Sequence, residues 1–298
     1  MAKLHPKARL KHLFQWFKVF VFIMRNRGRK TYGSFELRRM VERYLVEYST
    51  SIENMRAAEQ SFIDMESLLR VTGVNGLTRI GAANDGGYIG ILSPDNPSLI
   101  SGGGGKNIDF EIELAERGSK IHIYDPTIKK LPRTHKNIIH KKIALAAPED
   151  KTFKRSVTLT DAVSALNPDD EAPIWLKLDI EGSEIGLLAS DLRLLSRFQQ
   201  IFIEFHDSYK VAQPNFRNQL MGILNTLCDS HHVISVVSNN WQGFSNYGYA
   251  FAPVTFEVTF LSKEYDVEFS QLGSYRNFKN VNNINRLEIP DVPFQTTK

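Results

Sequence analysis

The chain has 298 residues, 42% hydrophobic and 23% charged, a globular composition with room for one large domain and an appendage. A single cysteine, Cys228, excludes a disulfide framework and a cysteine-rich zinc site; at the end of a helix-like run it reads as a small core hydrophobe. The net charge of +4 is unevenly spread, because residues 1–30 hold nine Lys or Arg and no acid, while the remainder holds 28 basic and 33 acidic residues.

The basic end also carries LFQWFKVFVFIM, Leu13 to Met24. Twelve residues interrupted by Lys18 fall short of the ~20 that span a bilayer. RNRGRK follows where a signal peptide would place small residues, so nothing argues for secretion and a cytoplasmic protein is expected. Two readings of the arm stay open. It is a basic, aromatic-rich helix making peripheral contact with an anionic membrane, or a helix packing its aromatic face on the main domain or a second subunit. Nucleic acid is not expected as a partner, since no recognition motif accompanies the charge.

Phe35 to Leu69 reads as helix, with Leu37, Met40, Val41, Tyr44, Leu45 and Tyr48 at three- and four-residue spacing and a second helical run from Ile52. Gly73, Gly76 and Gly81 then punctuate the chain. Residues 1–76 are therefore expected to form a basic arm and helical extension, and residues 77–298 the main domain. From Leu77, strand-like and helix-like runs alternate. Strands are expected at Leu99–Ser101, Ile121–Tyr124, Ile138–Ala144, Ile174–Leu178, Gln200–Phe205, His232–Val237 and Val254–Leu261. Helices are expected at Ile108–Arg117, Ala162–Leu166, Glu184–Ser196 and Phe216–Ser230. This alternation predicts a parallel sheet with helices on both faces. The last two strands lack a helix between them, so the final strand can return antiparallel.

Ligands of such a sheet bind beyond the carboxyl ends of its strands. Four glycines, Gly102 to Gly105, end the first of these strands, where bare backbone can approach a ligand. Asp125 ends the next strand about twenty residues on, the spacing of an acid that accepts ribose hydroxyls. The P-loop pattern fails twice, with Ile100 for its first glycine and Asn107 after Gly105-Lys106. A dinucleotide loop is weak, its third glycine falling on Asn107 or Ile108. Asp179 and Glu181 end a buried strand two residues apart, where close carboxylates repel unless they hold a proton, a cation or a donor. Glu184, opening the following helix, suits the helix dipole.

LKLDIEGSEIGLL, Leu176 to Leu188, resembles the strand–turn–helix signature of FkbM-type S-adenosylmethionine-dependent methyltransferases. VTLTDAVSAL before it, RIGAANDGGYIG, SLISGGGGKNIDFEIELAERGSKIHIYDPT and QIFIEFHD are similar to other segments of that superfamily, over about Leu77 to Leu261. The resemblance implies a class I methyltransferase fold: an α/β, Rossmann-like, seven-stranded sheet with an antiparallel last strand, plus the N-terminal extension. It implies S-adenosyl-L-methionine as cofactor, Gly103 and Gly105 as loop glycines and Asp125 as the ribose acid. Ser101 stands where many methyltransferases carry an acid for the cofactor's amino group; Glu111 or Asp85 would substitute, although NDGGY around Asp85 also reads as a tight turn.

The family usually methylates a hydroxyl, often on a sugar or polyketide, so O-methylation of a small-molecule or glycan acceptor is expected. Such a reaction needs positioning and a proton acceptor, for which His206, Asp179 and Glu181 are the candidates. No metal is assigned; Mg²⁺ on Asp179, Glu181 and Glu204 is the less favoured version. Trp241, Tyr247, Tyr249 and Phe251 are placed either to stack on a sugar or to close a hydrophobic lid. A non-catalytic binding protein with this fold, or a nucleotide-dependent enzyme using the same glycines, are the competing readings.

Overall fold

IHIY, IWLKL and the carboxyl part of FQQIFIEF offer apolar side chains to both faces, which a strand tolerates only when both faces are covered. In a computed structural model these runs form the centre of a sheet, each strand being almost wholly buried. The structure describes residues 34–83, 85–166, 172–239, 243–270 and 295–296. Contacts divide the chain into Met1–Tyr48 and Ser49–Lys298. The first unit contains nearly all of helix α1 (Ser34–Ser49), where Tyr44 and Tyr48 stack at 5.6 Å and Arg43 pairs with Glu47 one turn on.

The second unit opens with α2 (Ile52–Leu68), capped by the Ser51 hydroxyl, which accepts from the Asn54 amide at 3.2 Å. Its buried face, Ala58, Phe62 and Met65, packs on helix α6 (Pro214–Ser230). Contacts thus group α2 with the main domain, although the sequence reading placed it in the extension. Between them lie β1 (Leu77–Gly81), β2 (Gly87–Ile91), β3 (Ser98–Gly102), α3 (Asp109–Arg117), β4 (Ile121–Tyr124), β5 (Ile138–Lys141), β6 (Ala144–Leu145), β7 (Ser156–Val157), α4 (Leu159–Leu166), β8 (Ile174–Leu178), α5 (Glu184–Ser190) and β9 (Phe198–Phe205). After α6 come β10 (His231–Ser238), β11 (Phe244–Tyr247), β12 (Ala250–Pro253) and β13 (Phe256–Ser262).

The main sheet has seven strands in the order β10-β13-β9-β8-β3-β4-β5. β5, β4, β3, β8 and β9 run parallel, and β13 inserts antiparallel between β9 and β10. Counted in sequence order within the sheet, this is the 3-2-1-4-5-7-6 arrangement of the class I methyltransferase fold. The order reverses next to β3, which puts the switch point beside the four glycines.

Departures from the predicted elements have local causes. Ile138–Ala144 breaks after Lys141, where the Ile143 amide bonds back to the Lys141 carbonyl at 2.8 Å, and β6 pairs with β7 instead. Glu184–Ser196 becomes α5 and a 3-10 turn, Leu192–Arg197, because Asp191 leaves helical geometry and its carboxylate accepts from Leu159 and Thr160 of α4. The expected loop between the last strands contains the hairpin β11–β12, and Asp85-Gly86 of NDGGY lie in the turn of the hairpin β1–β2. Tyr88 of β2 is fixed in the core against Phe110 at 5.2 Å and Phe202 at 6.0 Å.

Cys228 is half-buried, bonds the Leu68 carbonyl through Sγ, and has its thiol pushed up to about 11, chiefly by burial. It is a packing residue rather than a nucleophile. Among the described residues no helix is long and apolar enough to cross a membrane. The expected arm, residues 1–30, lies outside them.

Candidate active site

The parallel pairing of β3 with β4 and β8 brings the glycine loop, Asp125 and Asp179 to one edge. Gly103 lies at φ +79°, and a Cβ there would collide with the Asp179 carbonyl oxygen; only glycine fits. Gly105 lies at φ +51°, but a Cβ there meets open space. Asp125 explains the loop's shape. Its Oδ2 accepts from the amides of Gly104 and Gly105 at 3.0 and 2.9 Å, and its Oδ1 accepts from the Thr127 amide and hydroxyl at 2.7 and 2.5 Å. Burial works against its charge, but these bonds outweigh burial and hold the carboxyl below its usual range. The anion-binding amides of the glycine turn are thus taken by the protein's own carboxylate.

Beneath the loop lies a buried ionic network. Lys177 of β8 donates to the Gly103 carbonyl at 2.6 Å and lies 3.7 Å from Glu111 and 3.8 Å from Asp179. Glu111, 1% exposed, also accepts from the Ser101 hydroxyl at 2.5 Å. Burial opposes the Lys177 charge, but Glu111 and Asp179 outweigh it and raise the ammonium above its ordinary value. Ser101 and Glu111 are therefore partners of each other. Glu111, expected to hold a cofactor amino group, is instead closed in beneath the loop, where its charge is answered by Lys177. Asp85 is exposed at the tip of the β1–β2 turn, whose backbone carbonyl accepts from the Asn107 amide group at 2.8 Å. Desolvation and nearby Asp179 raise its carboxyl.

The second half of the rim is built from the ends of β8 and β9. Asp179, Glu181 and His206 each place one donor atom within 4.8 Å of the others. His206 is buried, with Nδ1 3.0 Å from Glu184 Oε1 and Nε2 3.7 Å from Glu181 and 3.8 Å from Glu204. Glu184 is fully buried and also accepts from the amides of Ile180 and Gly182 at 3.1 Å. Burial opposes the imidazolium, but Glu184 and Glu204 outweigh it and raise His206 to about 10. Burial and Asp179 push the Glu204 carboxyl well above its usual range, against a 2.6 Å bond from Asn239. Glu181 and Asp207, one in each strand-end turn, both sit in the left-handed region, at φ 58° and 61°. Such strain persists where surrounding structure fixes it, often at functional sites.

Lys177 and the orienting role of Glu184 were missed from sequence. Lys177 carried a signal: a lone charge inside IWLKL, a strand buried on both faces, needs a partner. Glu184 carried none, since a capping acid looks the same. Of the aromatic candidates, Tyr247 belongs to the core, its hydroxyl donating to Tyr209 at 2.6 Å and its ring 5.8 Å from Phe62. Tyr249 is exposed, whereas Trp241 and the side chain of Phe251 lie outside the described residues. A separate open cleft, lined by Pro173, Arg197 and Gln199 among others, lies at the opposite, amino end of β8 and β9, away from these groups.

No curated protein matches the sequence. Among solved structures, a fibrillarin/Nop5p complex is similar at 11% identity and TM-score 0.36, over 59% of this chain and 76% of that one. "Putative hemolysin from Streptococcus thermophilus" is similar at 11% identity and TM-score 0.33, over 58% of this chain and 62% of that one. Likeness at that level adds nothing to the strand order. A family model does match, the methyltransferase FkbM domain, over residues 83–229, which span the glycine loop, Asp125, the DIEGSE turn and His206. Residues 83–229 of this chain are thus an FkbM methyltransferase domain.

Proposed function

We propose that the chain transfers the methyl group of S-adenosylmethionine to a hydroxyl of a sugar, glycan or similar natural-product acceptor. The observation that carries the cofactor choice is the electrostatics of the rim. The amides of Gly104 and Gly105 are occupied by Asp125, while Asp85, Asp179 and Glu181 line the rim. A phosphate ligand finds carboxylates where it needs donors. A ligand bearing an ammonium and a sulfonium finds the opposite charge.

The residues fit such a ligand. The open space over Gly105 admits it, Asp85 and Asp179 suit its ammonium, and Asp125 sets the loop. A ribose hydroxyl reaches Asp125 by exchanging with the Thr127 hydroxyl, the only side-chain donor of the four. The bound cofactor would supply a methyl group on sulfur and leave as a neutral thioether. The chain's own part is to position the acceptor oxygen and take its proton. His206, charged and held by Glu184, orients the acceptor through Nε2–H; the Asp179 and Glu181 carboxylates receive the proton. A basic arm seated on a membrane would bring lipid-linked glycans within reach; vesicle sedimentation with and without residues 1–30 tests that part.

The reaction is tested with methyl-tritiated S-adenosylmethionine and a panel of hydroxylated sugars and glycans. The expected product carries label that survives alkali, as an ether does, and is absent with Asp125→Ala. Cofactor binding without label in any acceptor would favour the non-catalytic reading, and alkali-labile label would contradict hydroxyl methylation.

A further inference from the structure

Four acids, Asp179, Glu181, Glu184 and Glu204, surround His206. Glu184 is held by His206 Nδ1 and two backbone amides, and Glu204 by Asn239, which leaves Asp179 and Glu181 facing Nε2. Lys177, 3.8 Å from Asp179, is shared with Glu111 and the Gly103 carbonyl. We propose that Asp179, Glu181 and His206 Nε2 form a three-point site for a divalent transition-metal ion of the Mn²⁺ type.

Three features of the site support this. The donor atoms lie within 4.8 Å of one another, and Glu181, the most exposed of the three, can close that distance by rotating inward. His206 is 4% exposed and fixed by a hydrogen bond from Nδ1 to Glu184, which turns Nε2 toward the two carboxylates. Its contacts through Nε2, at 3.7 and 3.8 Å, are too long to be hydrogen bonds. A carboxylate holding the far nitrogen of a histidine is the usual way a ligating imidazole is oriented. Glu184 is in turn fixed by two backbone amides, so the orientation is rigid. Glu181 also sits in the left-handed region, at φ 58°, in the turn that follows β8. One imidazole with two carboxylates suits Mn²⁺, Fe²⁺, Co²⁺ or Zn²⁺ better than Ca²⁺, which prefers an all-oxygen shell.

Metal binding stands independently of methyl transfer; its purpose rests on that reading. There, a cation would displace the proton of His206 Nε2, take the acceptor hydroxyl in place of that N–H, and make the hydroxyl proton easier to lose. The test uses the full chain stripped with chelator and titrated with Mn²⁺ alone, following free Mn²⁺ by electron paramagnetic resonance. One equivalent should bind, with nitrogen hyperfine coupling in the pulsed spectrum. Glu181→Gln, at an exposed position, should weaken binding about tenfold or more while circular dichroism stays unchanged. His206→Gln should remove the nitrogen coupling. No bound Mn²⁺, binding without nitrogen coupling, or binding indifferent to Glu181→Gln would each overturn the site. Calorimetry with S-adenosylmethionine on the same samples separates the claims. Cofactor binding without Mn²⁺ binding defeats the metal site alone, and Mn²⁺ binding without cofactor binding defeats methyl transfer alone.

Discussion

The two halves of the rim handle charge in opposite ways. In the glycine-loop half each acid is answered: Asp125 by four hydrogen bonds, Glu111 by Ser101 and Lys177. In the His206 half, four acids meet a single imidazole, with Asp179 and Glu181 facing its Nε2, and the backbone at Glu181 and Asp207 is left-handed. The first half behaves as scaffold, and its groups should matter for stability, Asp125 for the proposed cofactor contact as well. The second half is under-compensated, which suits a site that meets a positive ligand, and its exposed groups should matter for binding and chemistry.

The contrast breaks most visibly at Lys177. Lys177→Met leaves Glu111 buried without its cation and should cost about 3–5 kcal/mol in urea unfolding; adding Glu111→Gln should recover much of that. Next comes Gly103→Ala, which drives a Cβ into the Asp179 carbonyl and should cost about 1–3 kcal/mol. Gly105→Ala, with the same sign of φ but open space, should cost about 1–2 kcal/mol, measured the same way. If the two glycines prove equal, the close approach of β3 to β8 is wrong.

Asp125 gives the pH dependence. Its folded value lies below the unfolded one, so its stabilisation is complete above the unfolded carboxyl range near ~3.9. That contribution is lost as pH falls through the lower folded value. Asp125→Asn should remove this acid-side slope from the unfolding free energy, with a loss of about 1–2 kcal/mol at neutral pH. Smallest of all, Glu181→Gln should change stability by less than about 0.5 kcal/mol. A large loss there would place Glu181 with the scaffold and erase the contrast.

Much of this was legible in sequence, for definable reasons. IHIY and IWLKL read correctly as strands because continuous apolar runs between turns leave few alternatives, and the missing helix before the last strand foretold its antiparallel return. DIEGSE located the His206 half through residue types at a strand end. What stayed hidden were pairings across the fold. Asp125 reads as a ligand acid in sequence, and only the turn of the loop shows that Gly104 and Gly105 donate to it. Glu184 looks like a cap until β9 brings His206 beside it, 22 residues away. The hairpin β11–β12 was missed because Gly243 and Gly248 resemble loop punctuation, yet Gly248, at φ +64°, opens the turn that joins its strands.

The central claim is that this rim selects a cationic cofactor over a phosphate one. Calorimetric titration of the purified chain with S-adenosylmethionine, ATP and NAD, beside Asp125→Ala, tests it most directly. The account predicts heat with S-adenosylmethionine alone and none in the variant. Binding of ATP or NAD without S-adenosylmethionine would contradict it and return the glycine loop to nucleotide phosphates.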